Sequence, residues 1–334
     1  MRSAEPAVDE RTAEKDAKGL VLEIYQTIGR AKTDSMFSLL ADPLTVFGPR
    51  RADATATRAD ALVALGKVVD PKAKKHAQLR SGGLAVVVSQ GGRSAWAFDL
   101  VNVDGRLVAA TAVLSNTGDL WSVTAATLAA VPTAKQVKAE SARDAVVPPG
   151  ASAPARVDPA AAPIVAQFKR GLVDLDVWGE DLVSQSDAIV AGATVGQIAR
   201  GKQEIKQLWR SRRKANVRAA VSGEVSAAVT ADGQLAWLSS PITRVADGDD
   251  PLPLRVFAIY QKDGAAWRMI ALHEALAIDQ PGSGTAFKKI LPPAPAPAEP
   301  PKASPADKPT DATAKAKTKK KRKRPRAAPD TSSR

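Results

Sequence analysis

The strongest hydrophobic patterning lies at residues 225–276. Apolar and β-branched residues dominate 225–230, 234–243, 254–261 and 265–276. Ala231-Asp232-Gly233 separates the first two runs, and Lys262-Asp263-Gly264 separates the last two. Asp-Gly between apolar runs favours hairpin turns, because glycine accepts the positive φ that such turns need. The middle connection, 246–253, is acidic and contains proline. The pattern predicts a block of long antiparallel strands.

The block recurs at 84–129. With Ser81-Gly82 set against Ser222-Gly223, an offset of 141, Val88 meets Val229, Gly92 meets Gly233 and Trp96 meets Trp237. Beyond the second strand the offset becomes 146, and Gly118 meets Gly264, Trp121 meets Trp267 and Ala125 meets Ala271. Two matched Trp pairs beside matched turn glycines, in a chain with six Trp, indicate duplication of a whole domain. The period is far too long for a solenoid or propeller.

Each strand block is preceded by helical spacing. In the first copy Leu20, Val21, Ile24, Tyr25 and Ile28 form one stripe of a helix over 18–32. Asp34 or Ser35 caps a short second helix, which Asp42-Pro43 ends. A short strand is predicted at 44–47 and a third helix at 57–68. The second copy starts at Ile164. Val165, Phe168, Leu172, Val173 and Leu175 mark its first helix; a second is predicted at 177–183, a short strand at 187–191, a third helix at 201–210 and a further strand at 217–222. The expected division is a frayed N-terminus at 1–16, a first domain at 17–131, an Ala/Pro linker at 132–163 that leaves docking open, a second domain at 164–281 and a tail at 282–334. The tail is Pro/Ala-rich and then basic, too poor in apolar residues to offset its ordering entropy. Residues 287–291 are expected to pack back on the fold.

Composition narrows the chemistry. The 334 residues are 44% hydrophobic but only 4% aromatic, so Ala and Val must fill much of the interior. There is no Cys, which excludes disulfides, thiolate metal sites and Cys nucleophiles. The two His, His76 and His273, fall in different copies, so no metal site is expected. No phosphate loop, dinucleotide-binding loop or nucleophile elbow follows a strand, and no cofactor is expected. No apolar stretch has the length of a membrane span or a secretory signal, so the expected location is cytoplasmic, with no membrane partner. The net charge of +13 is unevenly placed: twelve Lys/Arg against four Asp/Glu fall from Pro292 onward.

The order helix, short helix, short strand, helix, long antiparallel strands resembles the nuclear transport factor 2-like superfamily. That superfamily includes SnoaL-like polyketide cyclases, ketosteroid isomerase and the association domain of the calmodulin-dependent kinase. Asp187-Ala188-Ile189-Val190, followed by Gly201-Lys202-Gln203-Glu204-Ile205, is similar to its short strand and Gly-started helix. Trp267 followed six residues on by His273 is similar to its last strand. The first copy departs from this, with Thr127 where His273 stands. The resemblance implies an α+β fold of two tandem cones, each a curved antiparallel sheet wrapped on helices with a pocket at its open end. It also implies pairing through the outer sheet faces, which a tandem chain could satisfy as an internal pseudo-dimer, monomeric or dimeric overall.

Candidate chemistry is sparse. His273 shares strand parity with Trp267, Met269 and Ala271, which places it on one face with them. An imidazole there could serve as base or donor to a ligand; the plainer reading is a structural His bonded to backbone or a carboxylate. Asp187 either faces the cone or ends a helix. Asp99 would suit proton abstraction if buried; its counterpart is Ser240, and it is read as solvent-facing. Tyr25 and Tyr260 are pocket candidates better read as core aromatics with a wet hydroxyl, and Trp178 as a core anchor. Lys315, Lys317, Lys319, Lys320, Lys321, Arg322, Lys323, Arg324 and Arg326 could bind nucleic acid or another polyanion without reading sequence.

These residues favour a non-catalytic or degenerate protein that binds a small apolar molecule or acts as an interaction module. The alternatives are an isomerase or cyclase acting in the second copy through His273 and Asp187, and a nucleic-acid-associated protein acting through its tail. An acid and base aimed into one pocket would favour the enzyme; a cone lined by Ala and Val would favour the module.

Overall fold

The computed structural model describes residues 9–47, 54–68, 78–104, 106–118, 120–135, 137, 156–249 and 251–276. The expected N-terminal extension up to residue 8, the packing of 287–291 and the basic tail lie outside them.

The first unit comprises α1 (Glu10–Gly29), a 3-10 helix (Thr33–Leu39), β1 (Leu40–Phe47), β2 (Ala54–Thr55), α2 (Arg58–Val68), β3 (Leu79–Ser81), β4 (Ala85–Val88), β5 (Ser94–Val103), β6 (Arg106–Thr117) and β7 (Leu120–Ala130). The second repeats the series. It has a 3-10 turn (Pro159–Ala161), α3 (Ala162–Val173), α4 (Leu175–Ser184), β8 (Ile189–Ala191), a 3-10 turn (Val195–Gln197), β9 (Ile198–Arg200), α5 (Gly201–Lys214), β10 (Arg218–Val221), β11 (Ser226–Val229), β12 (Leu235–Val245), β13 (Leu252–Asp263) and β14 (Ala266–Leu276). The fold is therefore α+β, two tandem units, each a seven-stranded mixed sheet with helices.

The sheets match strand for strand. One runs β2-β1-β7-β6-β5-β3 with β4 on β5; the other runs β9-β8-β14-β13-β12-β10 with β11 on β12. All pairs are antiparallel except β1 with β7 and β8 with β14. Each sheet also has a β-bulge at the same place. The register shifts at Val113/Leu114 in the first copy and at Ile259/Tyr260 in the second. A bulge inserts one residue, so the side chains beyond it change face. In β14, Met269 packs in the cone before the bulge and Leu272 and Leu276 pack there after it, while Ile270 and Ala271 face outward.

Several boundaries differ from the sequence expectation. α1 begins at Glu10 rather than residue 18, because the Asp9 carboxylate accepts from the Thr12 N–H at 3.1 Å and caps it, and Ala13 and Ala17 are buried beneath. The short second helix ends at Leu39, ahead of Asp42-Pro43, and β1 begins at Leu40 rather than residue 44, running through that dipeptide. Val173 is 90% exposed rather than inward. The described ends of the linker are docked. The Val195 N–H donates to the Pro132 carbonyl at 3.0 Å, the Ala227 N–H donates to Arg156 at 2.9 Å, and Val137 is buried in the second core.

The second core is built on aromatics that glycines admit. Phe168 stacks on Trp178 at 4.9 Å. A Cβ at Gly171 would lie 1.9 Å from Trp178, and one at Gly179 would lie 2.3 Å from Trp209, so these sites require glycine by close approach. The outer faces of the two sheets form a third core, a seam between the copies. Trp96, Phe98 and Phe47 from the first meet Trp237, Phe257 and Ile259 from the second. Trp237 stacks on Phe257 at 5.9 Å and meets Phe47 edge-on at 6.4 Å.

Candidate functional site

The inner faces of the two cones share one informative cross-strand row. In the first copy it reads Asp99 on β5, Ala110 on β6 and Leu128 on β7. In the second it reads Ser240 on β12, Val256 on β13 and Glu274 on β14. Each row carries one carboxylate, at opposite edges, and the surroundings of the two acids differ.

In the first copy, Asp99 shares parity with Ala95 and Ala97, which pack in that cone's core. It is 1% exposed, which overturns the reading of it as solvent-facing. Trp96 and Phe98 turned out to face the seam, so the opposite parity leads inward. Asp99 Oδ1 accepts from the Gly82 N–H at 3.2 Å, while Oδ2 has no hydrogen-bond partner among the described residues. Burial pushes the Tyr25 hydroxyl well up, and the Asp99 carboxylate beside it pushes further in the same direction. A hydroxyl that holds its proton thus stands near enough to a buried carboxylate to interact with it as a donor, though no hydrogen bond of standard geometry reaches Oδ2 among the described residues. Leu128, in the same row, is 37% exposed, so solvent reaches this inner face.

In the second copy, Glu274 Oε2 accepts from Arg212 at 2.8 Å and from Arg244. Burial alone would push the Glu274 carboxyl up; the two guanidiniums outweigh it and hold it below the ordinary value. Arg212 lies over Trp209 at 4.7 Å, and Arg244 donates to Gln197 at 3.3 Å. Sequence reasoning missed this cluster. Glu274 stands next to His273 on the last strand, and counting parity from Trp267 and Met269 puts His273, not Glu274, on the inner face, because it passes over the bulge.

His273 lies on the other face. The bulge turns it away from Met269 and Trp267, into the seam, where its Nδ1 is 2.9 Å from the Thr111 hydroxyl of the first copy. Its partner is thus a side chain of the other copy, neither backbone nor carboxylate. Burial holds its pKa down, to about 4 from 6.5, with Glu274 opposing. A lowered basic pKa means the unfolded chain takes the proton first. Stability should therefore fall by about 3 kcal/mol as pH drops from 6.5 to 4. Unfolding titrations of wild type and His273→Gln across this range check it; equal slopes would refute the assignment.

Asp187, its expected companion, is exposed and bonded by Ser186 at 3.1 Å. It lines an open cleft of about 440 Å³ between the copies, with Glu14, Lys18, Val86 and Arg200. The structure does not bring Asp187 and His273 into one pocket. Tyr260 and Trp178 are 0% and 1% exposed, inside the second core. Neither the Tyr260 hydroxyl nor Trp178 Nε1 has a hydrogen-bond partner among the described residues, so the hydroxyl is dry rather than wet. Burial pushes the Tyr260 hydroxyl well up, Asp181 adds to this and Arg170 opposes it. Among the described residues, no group of three or more His, Asp or Glu could hold a metal ion, and no helix is long and apolar enough to cross a membrane.

No protein-family profile matches the chain, and no curated protein matches it. Among solved structures, the chain is similar to a nuclear transport factor 2-like protein of unknown function from Pseudomonas putida KT2440. Identity is 16% and the TM-score 0.33, over 37% of this chain and 89% of that one. A nuclear transport factor 2-like protein from Cytophaga hutchinsonii ATCC 33406 shares 15% identity at TM-score 0.29, over 37% of this chain and all of that one. One of unknown function from Shewanella baltica OS155 shares 13% identity at TM-score 0.30, over 38% and 99%.

Proposed function

We propose that the first copy binds a small, mainly apolar molecule carrying one hydrogen-bond donor, and that the second copy supports it as the other half of an internal pseudo-dimer. The observation that carries this is Asp99, buried with Oδ2 unpartnered among the described residues. A buried carboxylate oxygen left unpaired is costly, and a ligand hydroxyl or amine would remove that cost. The side chains around it on the inner face are small and apolar, Ala95, Ala97, Ala112 and Ala126, which suits a mainly apolar ligand. Native mass spectrometry of the whole chain should find a retained small molecule. Asp99→Ala should lose it and leave the melting temperature within about 2 °C, since one unsatisfied acceptor goes with it. A wild-type spectrum showing bare polypeptide mass alone would sink the reading.

A second reading is a proton-transfer enzyme of the isomerase or cyclase type, and the Tyr25–Asp99 pair favours placing it in the first copy instead of the second. Turnover lost in both Tyr25→Phe and Asp99→Asn, with the ligand still bound, would distinguish it from binding alone. The polyanion reading of the nine basic residues at 315–326 remains a separate proposal; those residues lie outside the described ones.

A further inference from the structure

We propose that the second cone carries a binding site for a small carboxylate anion, formed by Arg212 and Arg244 beside Glu274. Two guanidiniums share one carboxylate, so the cluster holds one surplus positive charge where uncompensated charge is expensive. Among the described residues, the ion pairs of Arg212 and Arg244 all end on the same oxygen, Glu274 Oε2. The Arg212 side chain is only 6% exposed, and its Nε has no hydrogen-bond partner among the described residues. One donor, Arg212 Nε, therefore remains unused inside the cone.

The two forks are held in place before any ligand arrives. Trp209 stacks under Arg212 and Gln197 accepts from Arg244, which lowers the ordering cost of binding. Arg244 is 11% exposed and gives solvent a way to the cluster. A carboxylate fits on two counts. Its planar pair of acceptors matches a guanidinium fork, and its single charge cancels the surplus. Val256, between Ser240 and Glu274 in the row, offers an apolar neighbour to the carbon skeleton of such an acid. This site is independent of the ligand assigned to the first cone.

The experiment titrates the full chain with sodium acetate against sodium chloride at fixed ionic strength, reading the melting temperature and calorimetric heat. Acetate should raise the melting temperature saturably, and chloride should do so less. Arg244→Gln leaves a neutral Arg212–Glu274 pair, so the protein should fold and bind acetate at least tenfold more weakly. Arg213→Gln, the same charge change at a neighbouring position 61% exposed, should bind acetate as wild type does. Should Arg244→Gln fail to fold, Arg244→Lys decides: it keeps the charge and loses the fork, and should weaken acetate about tenfold. A response that never saturates, that chloride matches, or that survives unchanged in Arg244→Gln or Arg244→Lys would overturn the proposal.

Discussion

Glu274→Ala should lower the unfolding free energy by about 3–5 kcal/mol, because it strands two guanidiniums in the cone with no carboxylate between them. Glu274 and Arg212 are 1% and 6% exposed, so water that enters past Arg244 replaces the lost carboxylate only poorly. The loss should be far larger than that of Arg213→Ala, whose partner Asp176 is 39% exposed. Replacing all three members, as Arg212→Met, Arg244→Leu and Glu274→Leu together, should recover most of the stability, since buried ion clusters often yield to apolar packing at no cost. Denaturant titration of the three proteins checks this; a loss under about 1 kcal/mol in Glu274→Ala would mean that the cluster is solvated. The pH dependence has its own window. With the Glu274 carboxyl held below its ordinary 4.5, its contribution is present above that pH and fades as pH falls through the lower folded value. The His273 contribution fades earlier, between 6.5 and about 4, so the two can be separated by pH and by mutation.

The second large effect is expected in the seam. Trp237→Ala removes the ring stacked on Phe257 and set edge-on to Phe47 and leaves a cavity between the two sheets. Loss of a buried Trp typically costs about 3–5 kcal/mol. Because Phe47 belongs to the first copy and Phe257 to the second, the loss should register in both. Hydrogen exchange should rise in β1 as well as in β13. Faster exchange confined to the second copy would show that the seam does not couple the units.

Much of the fold was legible in the chain because duplication supplies an internal control. Trp96 and Trp237, with Gly92 and Gly233 beside them, aligned the strands of one copy with those of the other from spacing alone. The third helices and the Asp-Gly turns at Gly233 and Gly264 lie where the pattern put them, with φ of +69° and +59°. The candidate sites were less legible, and the cause is local. Parity counting assumes an unbroken pleat. The bulge at Ile270 adds one residue between Met269 and His273, which sends His273 to the seam and Glu274 to the cone. Nothing in the composition of Arg268-Met269-Ile270-Ala271 announces a bulge. Asp99 escaped for a related reason. Its neighbours Trp96 and Phe98 mark the opposite side of the strand as the apolar one, but both faces of β5 are buried, one by its own cone and one by the other copy. Arg212 sits in a run of basic residues at the end of α5, where an exposed cation is the ordinary expectation, and only the tertiary packing turns it inward.

The polar contacts across the seam have a consequence for ancestry and self-recognition. Ser94 donates to Asp232 at 2.7 Å, and Thr111 meets His273, each joining one copy to the other. None of these bonds has a mirror-image twin. The residue matched to Asp232 is Gly91, and the residue matched to Thr111 is Phe257. Two identical second copies brought face to face would set His273 against a phenylalanine ring and Asp232 against Thr230 and Leu235. Two identical first copies would have neither the imidazole nor the acid. The two halves of the duplicated segment thus differ where they meet, and each presents polar groups that fit the other rather than a sibling of itself.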